Sequence, residues 1–132
     1  TLALFHDVGE VITGDLASPI KYFNPQVKAA FDSIEDVAHA KLLDMLPTVL
    51  REEYRPLLMA RPDDADCWKL VKAADRICAY LKCVEEVKAG NQEFIRAKKT
   101  LENQVHAYGL PEVEYFMVTY VPSVSLTLDE LN

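Results

Sequence analysis

The amino-acid sequence predicts an all-α fold. Apolar residues recur at steps of three and four through most of the chain, and no segment alternates with period two over more than a few residues. Of four glycines, Gly14, Gly90 and Gly109 fall where helical spacing stops, as glycines closing helices do. The expectation is a single domain of five or six helices over residues 1–132, without repeats or linkers.

Leu2, Leu4, Phe5, Val8, Val11 and Ile12 form a first apolar stripe at helical spacing, ending near Thr13-Gly14. Asp15 to Asn24 contains Pro19 and no sustained period, which reads as a loop. Asn24-Pro25 is a start signal, a capping side chain followed by proline at the first helical position. Val27, Phe31, Ile34, Ala38, Leu42 and Met45 continue it as a helix from about 25 to 46. A shorter helix opens at Pro47-Thr48, and Pro56 should kink or end it. After a polar turn at Arg61–Asp66, capped by Asp63 or Asp64, the longest helix runs from about Ala65 to Ala89. Its buried stripe is expected at Trp68, Val71, Ala74, Cys78, Leu81 and Val84. Asn91 caps the next helix, which Gly109 ends; Leu110-Pro111 starts another, which Pro122 stops, and Leu128–Glu130 makes a last short turn.

Composition narrows the function. Half the residues are hydrophobic and 27% are charged, with a mean hydropathy of -0.03, which excludes a disordered chain. No apolar run approaches the roughly 20 residues a bilayer requires. Fourteen basic against twenty-one acidic residues give a net charge of -7, which argues against binding a nucleic-acid polymer. Cys67, Cys78 and Cys83 are odd in number and lack C-x-x-C spacing, so they read as buried, reduced thiols. No secretory signal pattern opens the sequence, and a reducing cytoplasm is the expected compartment.

Two places resist reading as solvated helix face. In His6-Asp7-Val8-Gly9-Glu10, His6 and Glu10 share a helix face and Asp7 lies a quarter-turn away, inside an apolar segment. Imidazole nitrogen and carboxylate oxygen together suit first-row divalent metals. The other place is Asp75, which follows Val71 by four and should point along the buried stripe. A buried carboxylate is costly unless paired, protonated or metal-bound; the alternatives are a salt bridge to Lys72 or Arg76, or a surface position. His39 reads as a helix-surface or satisfied core histidine, His106 as a cation at a helix C-terminus, and Trp68 as a core anchor.

At these residues the chain resembles the HD-domain metal-dependent phosphohydrolases, and more closely their bacterial 5'-deoxynucleotidase branch. The resemblance rests on Leu4–Leu16, with its His-Asp-x-x-Glu run continuing into Thr-Gly-Asp-Leu, and on Ser18–Phe23. It extends to Val71–Asp75 with Cys78–Cys83, and to Glu114–Met117. It implies an HD-domain helical bundle in which His6, Asp7 and Asp75 hold a divalent transition metal such as cobalt or manganese. It further implies Glu10 as the catalytic acid/base, Asp15 beside the nucleotide and Lys21 at its phosphate. The implied substrate is a deoxynucleoside 5'-monophosphate, and the implied assembly a cytoplasmic homodimer. The family's first histidine ligand lies on a helix before the doublet, and neither His39 nor His106 sits at a matching position. Residues 1–132 are therefore expected to be an N-terminally incomplete HD domain.

Two other readings stay open on the sequence. One keeps the HD chemistry with a nucleoside triphosphate, cyclic nucleotide or alarmone as substrate. No Gly-Tyr-Pro signature follows the doublet, which counts against the cyclic-dinucleotide branch. The other is a non-catalytic helical regulatory module with an incomplete metal site.

Overall fold

The structure, a computed structural model, describes residues 1–17, 20, 24–59, 62–126 and 128–131. Among these, every regular element is a helix or a 3-10 turn, and five helices have nine residues or more. The all-α expectation holds. No described helix is long and apolar enough to cross a membrane. The chain divides into two compact units, Thr1–Trp68 and Lys69–Asn132.

The first unit begins with two short helices, α1 (Leu2–Phe5) and α2 (Glu10–Thr13), rather than the single expected helix. Between them the backbone bonds run i to i+3, Val8 N to Phe5 O at 3.1 Å and Glu10 N to Asp7 O at 2.9 Å. This tighter winding shifts the phase of the apolar stripe, and Leu4 and Val11 end up about four-fifths exposed. Gly14 closes α2 with a φ of 72°.

Helix α3 (Pro25–Met45) starts where the sequence predicts. Oδ1 of Asn24 accepts a hydrogen bond from the Val27 amide at 2.8 Å, and Pro25 takes the first turn. Such a cap stabilises by about 1 kcal/mol. Helix α4 (Thr48–Leu58) contains Pro56 and stops two residues after it. Both α2 and α4 pack on α3, and α1 packs on α4, where the rings of Phe5 and Tyr54 meet edge to face at 5.8 Å. Among the described residues of this unit, Ala38, Leu43 and Leu58 are the buried apolar ones. A 3-10 turn, Pro62–Asp64, leads into α5 (Ala65–Lys88), whose first residues close the unit.

The second unit contains the rest of α5, then α6 (Ile95–His106), α7 (Pro111–Thr119) and α8 (Val121–Val124). Its core joins Ala73, Ile77, Tyr80 and Val84 of α5 to Val105, Val113 and Met117. The buried face of α5 keeps Val71 and Val84 of the expected stripe and departs from it between them. Ala74 and Cys78 are exposed, while Ala73, Ile77, Tyr80 and Cys83 are buried. Ile77 and Tyr80 face Val105, Val113 and Met117 in the core cluster. Of the three thiols only Cys83 is buried; Cys67 and Cys78 are exposed, contrary to expectation. Asn91 caps a 3-10 turn, Gln92–Phe94, ahead of α6 rather than α6 itself. The left-handed φ of Gly90, 93°, lets the Asn91 amide reach back to the Glu86 carbonyl.

Candidate metal centre

The turn between α1 and α2 presents His6, Asp7 and Glu10 together, all within the first unit. Nδ1 of His6 lies 2.8 Å from the Ala3 carbonyl oxygen. A carbonyl only accepts, so Nδ1 carries the proton and donates it. That bond fixes the ring and aims Nε2 away from the helix backbone. Nε2 is buried and makes no aligned hydrogen bond, yet Oδ2 of Asp7 lies 2.8 Å from it.

Two electron-pair donors so placed repel one another unless a positive charge is shared between them. A proton on Nε2 would make the contact an ion pair without an aligned hydrogen bond, and a divalent cation would serve both atoms. An imidazole nitrogen beside a carboxylate oxygen, with the second ring nitrogen tied to a backbone carbonyl, is the donor arrangement a first-row divalent cation takes. The residues present fit such an ion.

Glu10 is half-buried at the start of α2, and its amide donates a hydrogen bond to the Asp7 carbonyl. Asp15 is exposed in the loop immediately after Gly14. Lys21 lies outside the described residues. Asp75 stands on α5 in the second unit and is exposed, not buried along the apolar stripe as expected. The face carrying Ala73 and Ile77 is inward, and Asp75 is offset from both. Among the described residues it makes no ion pair with Lys72 or Arg76, so the salt-bridge alternative falls away.

His106 is paired, through Nδ1, with Glu114 of α7 at 2.8 Å, a structural contact between helix ends. Trp68 is half-buried, and its indole N–H has no hydrogen-bond partner among the described residues. His39 is a residue whose position sequence reasoning undervalued: its ring lies against Gly9, in the middle of the His-Asp turn. The one available signal was a glycine at position 9 that ends no helix.

Comparison with known proteins places the chain. The model of the family described as 5'-deoxynucleotidase YfbR-like matches residues 1–124. The chain belongs to this family. A 5'-deoxynucleotidase of Vibrio cholerae is 50% identical over 131 residues, covering 99% of this chain and 68% of that protein. One from Yersinia pseudotuberculosis is 51% identical over 131 residues, 99% of this chain and 66% of its own. A 5'-deoxynucleotidase of Shewanella oneidensis is 47% identical over 132 residues, 100% of this chain and 68% of that protein. The chain thus spans about two thirds of the length of these YfbR-like relatives. Membership agrees with the resemblance drawn from the His-Asp turn and the Asp75 helix, and an HD-type family suggests a divalent metal.

Proposed function

We propose that the protein is a metal-dependent 5'-deoxynucleotidase that converts a deoxynucleoside 5'-monophosphate and water into a deoxynucleoside and phosphate. The observation that carries this reading is the His6–Asp7 pair, with Nδ1 held by the Ala3 carbonyl and Nε2 facing Oδ2 of Asp7. Relatives about 50% identical, named as 5'-deoxynucleotidases, support the substrate class.

His6, Asp7 and Asp75 are the protein's ligands for one divalent ion, cobalt or manganese, within an HD domain to which residues 1–132 belong. Bound there, such an ion supplies Lewis acidity toward the phosphoryl group and lowers the pKa of water. His6 binds through Nε2 because Nδ1 is committed to Ala3. Glu10 serves as acid/base: its carboxylate accepts a proton from the attacking water and delivers one to the departing O5'. The water oxygen–phosphorus bond forms as the phosphorus–O5' bond breaks, and the proton ends on the deoxynucleoside hydroxyl. Asp15, one residue beyond the turn that ends α2, reaches the nucleoside, and Lys21 meets the phosphate. The enzyme acts in the cytoplasm as a homodimer.

Phosphate release from a panel of deoxynucleoside and ribonucleoside 5'-monophosphates tests the reading. The full protein should release phosphate from the deoxy series, lose that activity on chelation and regain it on addition of manganese or cobalt. Undiminished release after exhaustive chelation, or pyrophosphate release from triphosphates in its place, would refute it.

A further inference from the structure

Gly9 has no conformational reason to be glycine. Its φ of -58° and ψ of -29° are right-handed helical values that any L-residue adopts, whereas Gly14, Gly90 and Gly109 all have positive φ. What sets it apart is a neighbour. A Cβ at position 9 would stand 2.9 Å from Nε2 and 3.2 Å from Cδ2 of His39, closer than two side chains approach. The imidazole of His39 occupies the space that a side chain at position 9 would need.

That contact falls at the centre of the candidate site. Gly9 is buried, with the ligand pair His6–Asp7 before it and Glu10 directly after it. Its carbonyl accepts from the amides of Ile12 at 3.0 Å and Thr13 at 3.2 Å, so it anchors the first bonds of α2. On the other side, His39 is carried by α3 next to Ala38, which is 1% exposed. Helix α2 packs on α3, and at Gly9 the contact is made by the ring of His39. A shift of the Gly9 peptides would rotate the backbone that aims both Asp7 and Glu10.

We propose that His39 is a positioning residue of the metal turn, and that Gly9 is the notch that admits its ring. Through this pair, the 21-residue helix α3 fixes the direction of the ligand side chains. The inference rests on the reading of His6 and Asp7 as metal ligands.

Titration of manganese into the metal-free full protein, followed by calorimetry, tests it with Gly9→Ala, His39→Ala, the double variant and His6→Ala, each also melted thermally. Gly9→Ala and His39→Ala should each weaken manganese binding by roughly tenfold, the range seen when support of a ligand is lost. The double variant should bind no worse than the weaker single variant, whether the added methyl pushes the turn or the ring. Losses that multiply in the double variant would overturn the coupling. So would lowered melting temperatures with unchanged affinity, which mark a merely structural contact. His6→Ala separates the two readings: abolished binding keeps the metal reading whatever the double variant does, and full binding in His6→Ala removes the metal reading and this inference with it.

Discussion

At the scale of single residues, the candidate site turns on which side chains donate electron pairs and which move protons. His6 is locked by the Ala3 carbonyl and faced by Asp7, whereas Glu10 stands three residues beyond Asp7, its amide donating to the Asp7 carbonyl. The division of labour has a kinetic signature. Glu10→Gln should leave manganese affinity near that of the unmodified protein while lowering kcat roughly 100- to 10,000-fold, the usual worth of a positioned acid/base. Steady-state kinetics beside a binding titration checks this, and an unchanged kcat would strip Glu10 of its role. The turn was a legible candidate in the sequence because its His-Asp-x-x-Glu run continues into Thr-Gly-Asp-Leu within an apolar surround. The role of Gly9 was not legible, because its partner His39 is 30 residues distant and only the packing of α2 on α3 brings the two together.

At the scale of elements, helix boundaries followed local chemistry. Asn24-Pro25 starts α3 and Gly90 ends α5, since a cap and a left-handed glycine are each decided by their immediate neighbours. The buried face of α5 keeps Val71 and Val84 of the expected stripe but takes Ala73 and Ile77 in place of Ala74 and Cys78. Apolar spacing permits either Ala73 or Ala74, and either Ile77 or Cys78, to face inward. The choice is made by Val105, Val113 and Met117 on the helices that pack there. Tyr80 follows from that choice. Burial, and then the charge and hydrogen bond of Glu102, push its phenol above the ordinary value of 10.0. Burial likewise raises the Cys83 thiol above 9.0, which Glu86 reinforces and Lys82 opposes. Both groups stay protonated in the folded chain. Their contribution is therefore complete below the unfolded values and is lost as pH rises through the folded ones. Denaturant titrations should show stability falling from about pH 9 upward. Tyr80→Phe should lessen the fall above pH 10 and cost about 1 kcal/mol at neutral pH. An identical alkaline slope in Tyr80→Phe would contradict this account of the core.

At the scale of the whole molecule, the net charge of -7 sets the conditions under which an anionic substrate approaches. The overall field repels a phosphomonoester at long range, so attraction must come from a bound cation and from side chains beside it. Helix α5 runs through the boundary between the two compact units at Trp68 without a break in helical pattern. The central proposal is that His6, Asp7 and Asp75 serve one divalent ion. Calorimetric titration of manganese into the metal-free full protein, beside Asp75→Asn, tests that claim most directly. The account predicts one manganese per chain in the unmodified protein and a loss of affinity of at least roughly tenfold in Asp75→Asn. Equal manganese affinity in the two proteins would contradict it.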